Sequence, residues 1–174
     1  MRFALSGHMH TRRPPRIQGF SYLGFYRYFV TCCTHARHPA FRSAPVVRRL
    51  VLQLLRTCRA QEFAVLAYVF MPDHLHLVLQ GEAEGSDLRK GMRILRKRLS
   101  TEYHATADRV LWQDGYFERV LRDEESTTTV LDYVVANPVR AGLVENARDY
   151  PFSWSIEWGE PADSADCNPV RPTY

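Results

Sequence analysis

Residues 62–80 read EFAVLAYVFMPDHLHLVLQ, a run rich in apolar and β-branched side chains that is broken in its middle by Pro72 and Asp73. A Pro-Asp pair between two such runs is a turn signal, so 62–71 and 74–80 are expected to form two antiparallel strands joined at that point. Side chains at i and i+2 leave a strand on the same face, which sends His74 and His76 one way and Leu75 and Leu77 the other way, into the core. Any fold built on this hairpin must set two imidazoles side by side on one face of a sheet.

The rest of the chain supplies the remaining layers. FYRYFVTCCT, 25–34, is rich in aromatic and β-branched residues and reads as a strand. Pro45 opens a helical pattern, with Val47, Leu50, Val51, Leu54 and Leu55 on one side, that runs to about Ala60. A long helix is expected from about Ser86 to Tyr103, with Leu88, Met92, Leu95, Leu99 and Tyr103 recurring at three- and four-residue spacing. YFERVLR, 116–122, reads as a fourth strand, followed by a helix capped by Asp123 that runs to Asn137 and is ended by Pro138. The order strand, helix, strand, strand, helix, strand, helix predicts an α+β fold: a ferredoxin-like, split βαβ antiparallel sheet with helices on one face, plus a C-terminal helix carrying Tyr133.

With 174 residues the chain has the length of one domain. Residues 1–19 read as a basic, flexible N-terminal arm, 20–158 as the folded domain and 159–174 as a flexible tail. No apolar run approaches the length that spans a bilayer, and the N-terminus lacks the apolar stretch of a signal peptide, so a cytoplasmic protein with no membrane role is expected. The four cysteines form neither a CxxC pair nor a disulfide framework and fit reduced thiols. The net charge of +4 points mildly to a polyanionic partner.

Three groups of residues carry candidate chemistry. His74 and His76 suit a divalent metal, although the same spacing also fits polar residues facing solvent on an amphipathic strand. A third ligand would come from Asp73 or from the last helix, where Tyr133 and Asn137 stand four apart on one face. Alone, Tyr133 reads more readily as a packing tyrosine, and Asn137 as a helix terminus before Pro138. Arg89, Lys90, Arg93, Arg96, Lys97 and Arg98 crowd six positive charges into ten residues with no carboxylate between them. Such a run is usually a solvated face, but this density fits phosphate contacts, and Arg12, Arg13 and Arg16 near the N-terminus could reach the same strand of nucleic acid.

HLH within MPDHLHLVL, then LWQDGYFERVLRDEE, YVVANPVRAGLV and DYPFSW, together resemble the single-tyrosine HUH transposases across about residues 25–155. Within that group the chain is most similar to the REP-associated tyrosine transposases. The resemblance implies that His74-Leu75-His76 is the HUH motif, that Tyr133 is the nucleophile and that Asn137 takes the place of the helix amide that completes the metal site. Many relatives carry glutamine there, and the shorter Asn137 leaves room for a bridging water. It further implies Mg2+ or Mn2+, an imperfect palindromic hairpin of single-stranded DNA as partner, cleavage and rejoining through a 5′-phosphotyrosine, and a monomer acting in cis. Two rival readings are a metal-dependent phosphodiesterase that activates water and a hairpin-binding module without cleavage.

Overall fold

The computed structural model describes residues 19–159, apart from the side chain of Glu125. The expected N-terminal arm with Arg12, Arg13 and Arg16, and all of the tail beyond Gly159, lie outside the described residues. The strands are β1 (Arg27–Cys33), β2 (Phe63–Met71), β3 (His74–Gly81), β4 (Phe117–Leu121) and β5 (Ser153–Ser155), and the helices are α1 (Ala44–Ala60), α2 (Leu88–His104), α3 (Glu124–Val135) and α4 (Asn137–Arg140). All strand pairs are antiparallel and the sheet order is β4-β1-β3-β2-β5. The first four positions of that order are the ferredoxin-like arrangement expected from the element sequence; β5 extends it at the edge beside β2.

The alternation in β3 sorts the molecule into layers. Leu75, Leu77 and Leu79 enter a core shared with Leu50 and Leu54 of α1 and with Met92, Leu95 and Leu99 of α2. Val78, on the histidine side, enters a second core with Val69 and Met71 of β2 and with Val130, Leu131 and Val134 of α3. Helices α1 and α2 therefore cover one face, as expected, and α3 covers part of the other. Strands β2 and β3 are buried on both sides, which is why their sequences read as nearly continuous apolar runs.

The last helix departs from expectation. Helix α3 stops at Val135, and a second short helix begins at Asn137 with Pro138 in its first turn. Proline lacks the N–H that would bond back into α3, and its fixed φ suits the first turn of a new helix, so Pro138 starts α4 instead of ending the helical path. Strand β5 was not foreseen, because three residues are too few for a periodic signal. It is held where Trp154 joins the first core and the Tyr150 hydroxyl donates to the Phe70 carbonyl at 2.8 Å. No described helix is long and apolar enough to cross a membrane.

Candidate active site

The register between β1 and β3 sets Thr31 opposite His76 and Cys33 opposite His74. The two histidine rings meet edge to face with Nε2 atoms 3.1 Å apart. Each ring is held from behind. Nδ1 of His74 lies 2.6 Å from Oδ1 of Asp73, whose other oxygen accepts from Nε of Arg37 at 2.9 Å. Burial alone would push the Asp73 carboxyl up, but the hydrogen bond and charge of His74 and the charge of Arg37 outweigh it and hold the group below the usual carboxylate value. An ionised Asp73 only accepts, so Nδ1 of His74 carries a proton, and when the ring is neutral its lone pair is on Nε2, the atom that faces His76.

His76 is held by Thr31, whose Oγ1 lies 2.7 Å from Nδ1. The threonine hydroxyl rotates to donate or accept, and so serves either tautomer of the ring. Burial keeps the His76 proton affinity well below the usual imidazole value, and the charges of His74, Arg37 and Arg140 lower it further. A neutral ring is the form that ligates metals.

Tyr133 reaches the same place from α3. Its ring centroid is 6.1 Å from that of His76 and 6.0 Å from that of Phe29, which lies 5.3 Å from His76. Packing of Val130, Leu131 and Val134 into the second core fixes the rotation of α3 and leaves Tyr133 half-buried at its flank. Arg140 of α4 places its guanidinium carbon 4.7 Å from the centre of the Tyr133 ring, within cation–π reach. Asn137 donates Nδ2 to the carbonyls of Tyr133 at 2.8 Å and Val134 at 3.2 Å, capping α3, so that Oδ1, the acceptor atom, is the part of the amide able to ligate a cation. Among the described residues no three His, Cys, Asp or Glu side chains form a metal-holding group. Asp73 stands behind His74, on Nδ1, as an orienting group.

A family model described as "Transposase IS200 like" matches residues 25–137, a span that contains the hairpin, the histidine pair and the whole of α3. The chain belongs to the IS200-like transposase family. A REP-associated tyrosine transposase of Escherichia coli K12 is 27% identical over 100 residues, covering 58% of this chain and 59% of that protein. A second relative, from Haemophilus influenzae, is 26% identical over 109 residues, covering 56% of this chain and 62% of its own length. The chain thus spans about three fifths of the curated relatives it matches. A solved structure of a REP-associated tyrosine transposase bound to a REP hairpin shares the fold, with a TM-score of 0.67 at 20% identity over 91% of this chain and 99% of that one.

The basic run of this IS200-like chain lies on α2, across the sheet from the histidines. Arg89, Lys90, Arg93, Lys97 and Arg98 are exposed. Arg96 is turned inward: it donates to the Gln113 carbonyl, stands over the Tyr116 ring at 5.9 Å, and its own carbonyl accepts from Trp112 Nε1. Its place is that of a brace between α2 and the segment entering β4. Sequence reasoning missed Arg140, Thr31, Arg37 and Phe29. Arg140 had no signal, because the expected helix ended at Asn137, and only the new helix α4 brings it over the Tyr133 ring. Thr31 and Phe29 meet His76 through strand pairing, and Arg37 reaches Asp73 from the turn that follows β1.

Proposed function

We propose that this chain cleaves and rejoins single-stranded DNA at hairpin sequences of the REP type, as a monomer acting in cis, with Tyr133 as nucleophile. The observation that carries the reading is the convergence, within one chain, of the Tyr133 ring on a pre-oriented histidine pair of which His76 is buried. Family membership and the hairpin named for the solved relative point the same way. In the reaction the phenolic oxygen bonds to phosphorus, the bond to the 3′-oxygen breaks, the phenol loses its proton and the 3′-oxygen gains one. The product is a 5′-phosphotyrosine with a free 3′-hydroxyl, and attack by a 3′-hydroxyl reverses it, so no nucleotide cofactor is required.

A divalent ion, Mg2+ or Mn2+, fits the donors present. Two ligands at about 2.1 Å from one ion and at right angles are about 3.0 Å apart, and the facing Nε2 atoms are 3.1 Å apart. His74 and His76 would hold it, with the Oδ1 of Asn137 directly or through water. When bound, such an ion supplies Lewis-acid polarisation of the scissile phosphate. The protein's own groups do the rest. Asp73 and Thr31 orient the two rings, α3 presents the phenol, and Arg140 lays positive charge over the ring of the phenol that must become an anion.

The test is denaturing electrophoresis with labelled single-stranded hairpin DNA and Mn2+. Wild-type protein is expected to form a covalent adduct that retains a 3′-end label, while a 5′-end label leaves with the fragment bearing the free 3′-hydroxyl, and Tyr133→Phe is expected to form no adduct. Cleavage without an adduct, or undiminished cleavage by Tyr133→Phe, would assign the histidines to water activation; tight hairpin binding with no cleavage would assign the chain to a binding role.

A further inference from the structure

Strand β4 is an edge strand, and its alternation is unusual for one. Phe117, Arg119 and Leu121 face the histidine side, since Phe117 pairs with Thr31 and Arg119 with Phe29, while Val120 packs into the core under α2. Phe117 is 39% exposed. A single exposed aromatic is ordinary on a protein surface, and what sets this one apart is its neighbours. Here it is the outermost member of a continuous row of rings. Its centroid is 6.1 Å from Phe29, which is 6.0 Å from Tyr133 and 5.3 Å from His76. Phe117 and His76 lie in one cross-strand row separated by β1, about 10 Å apart at ordinary strand spacing.

The charges around this ring specify its occupant. Exposed Arg119 follows Phe117 on the same face, and Arg140 flanks Tyr133 at the inner end of the row. The exposed basic residues of α2 lie on the opposite face, and α2 is braced to the segment that enters β4 through Arg96 and Trp112. The β4 edge is the one tied to α2 through that segment, so a strand that runs from the α2 cations to the histidine pair by this edge passes over Phe117. An aromatic flanked by cations binds a polyanion with exposed ring faces, which is an unpaired stretch of nucleic acid.

We infer that Phe117 is a stacking platform for the base next to the cleaved phosphate, with Arg119 contacting the adjoining backbone. The inference rests on the proposed action on single strands, and it names the part of the substrate that this surface reads: an unpaired base, not the duplex stem.

The experiment compares a short oligothymidylate with an equally long strand of abasic sugars, which keeps the phosphates and removes the rings, binding to the full chain in EDTA. Wild-type protein should prefer the base-bearing strand about tenfold or more. Phe117→Ala should erase the preference, Phe117→Trp should keep it, and Arg119→Gln should weaken both strands alike. The exposed Phe25, beyond the far end of β1, serves as control, and Phe25→Ala should leave the preference intact. An unchanged preference in Phe117→Ala, with its melting temperature equal to wild type, overturns the platform, as does the absence of any preference in the wild type. Adduct formation by Tyr133 is scored separately. Loss of the base preference in Phe117→Ala with no adduct in the wild type would sink the cleavage reading and leave the platform standing.

Discussion

At the scale of single residues, the histidine pair was legible because a strand repeats every two residues, and a hairpin signal fixed which two residues those were. What holds the pair was not. Asp73 is adjacent in sequence, yet whether it ligates or orients depends on which side of the ring it reaches, and Thr31 arrives through pairing with a strand some forty residues earlier and Arg37 from the turn that follows that strand. Burial of a neutral His76 has a consequence for acid stability. In the unfolded chain His76 titrates near its reference value of about 6.5, whereas the folded protein resists protonating it. Above that pH both states are neutral and its contribution to stability is complete. As pH falls below it, the unfolded chain takes up a proton that the native state refuses, and stability declines by up to about 1.4 kcal/mol per pH unit from this group alone. Asp73, whose folded value is depressed, withdraws its contribution only below the ordinary carboxylate range. Urea unfolding in EDTA at pH 7, 6 and 5 should therefore show a steeper loss for wild type than for His76→Gln. Parallel losses in the two proteins would mean that His76 does not resist protonation when folded. Arg140 predicts a kinetic effect instead. Removing its charge beside the phenol, as Arg140→Ala, should slow adduct formation by roughly tenfold to a hundredfold, with the fold intact, because the cation acts where negative charge develops; single-turnover rates at saturating DNA would read this directly.

Elements were easier to place than their ends. The start of α3 follows from Asp123, whose side chain accepts from the Ser126 N–H, and the stripes of α1 and α2 were plain in the spacing of Leu50, Leu54, Leu95 and Leu99. The end of α3 was misplaced because proline excludes a helix interior but favours a first turn, and sequence alone does not say which applies. The junction matters because α3 carries Tyr133 and α4 carries Arg140, so Asn137 between them sets how the two meet. Its two roles separate by atom. Nδ2 caps the carbonyls of Tyr133 and Val134, while only Oδ1 can face a cation. Asn137→Ala should lose about 1 kcal/mol of stability in EDTA and also weaken Mn2+ binding. Asn137→Asp should lose at least as much stability, since it lacks the donor and adds negative charge at a helix C-terminus, yet keep or strengthen Mn2+ binding. Urea unfolding and Mn2+ titration calorimetry on both variants separate the roles. Equal metal affinity in Ala, Asp and wild type would remove Asn137 from the ligand set.

Over the whole molecule, the sheet divides two kinds of surface that the sequence presents only as successive segments. The order β4-β1-β3-β2 followed from the element pattern, but the positions of the charges did not, because a basic run on an amphipathic helix is equally basic whichever face of the sheet the helix covers. With α2 packed against Leu75, Leu77 and Leu79, its exposed cations lie across the sheet from the histidines. Under the proposed function, anchoring a folded hairpin and cleaving a single strand are then separable tasks. Replacing Lys90, Arg93 and Lys97 together by glutamine should lower hairpin affinity and flatten its salt dependence. If all three contact duplex phosphates, the slope of log K against log salt should fall in magnitude by about 2.7. The same triple variant should still form the Tyr133 adduct at near wild-type rate on a short, saturating single strand that cannot reach α2. Arg96→Gln should behave differently again, because its guanidinium braces Gln113 and Tyr116: it should lower the unfolding midpoint and leave the salt slope nearly unchanged. Filter binding across a salt series, paired with single-turnover adduct rates, distinguishes these outcomes. A triple variant that kept its full salt slope would mean that DNA avoids α2 and reaches Tyr133 by way of the histidine face alone.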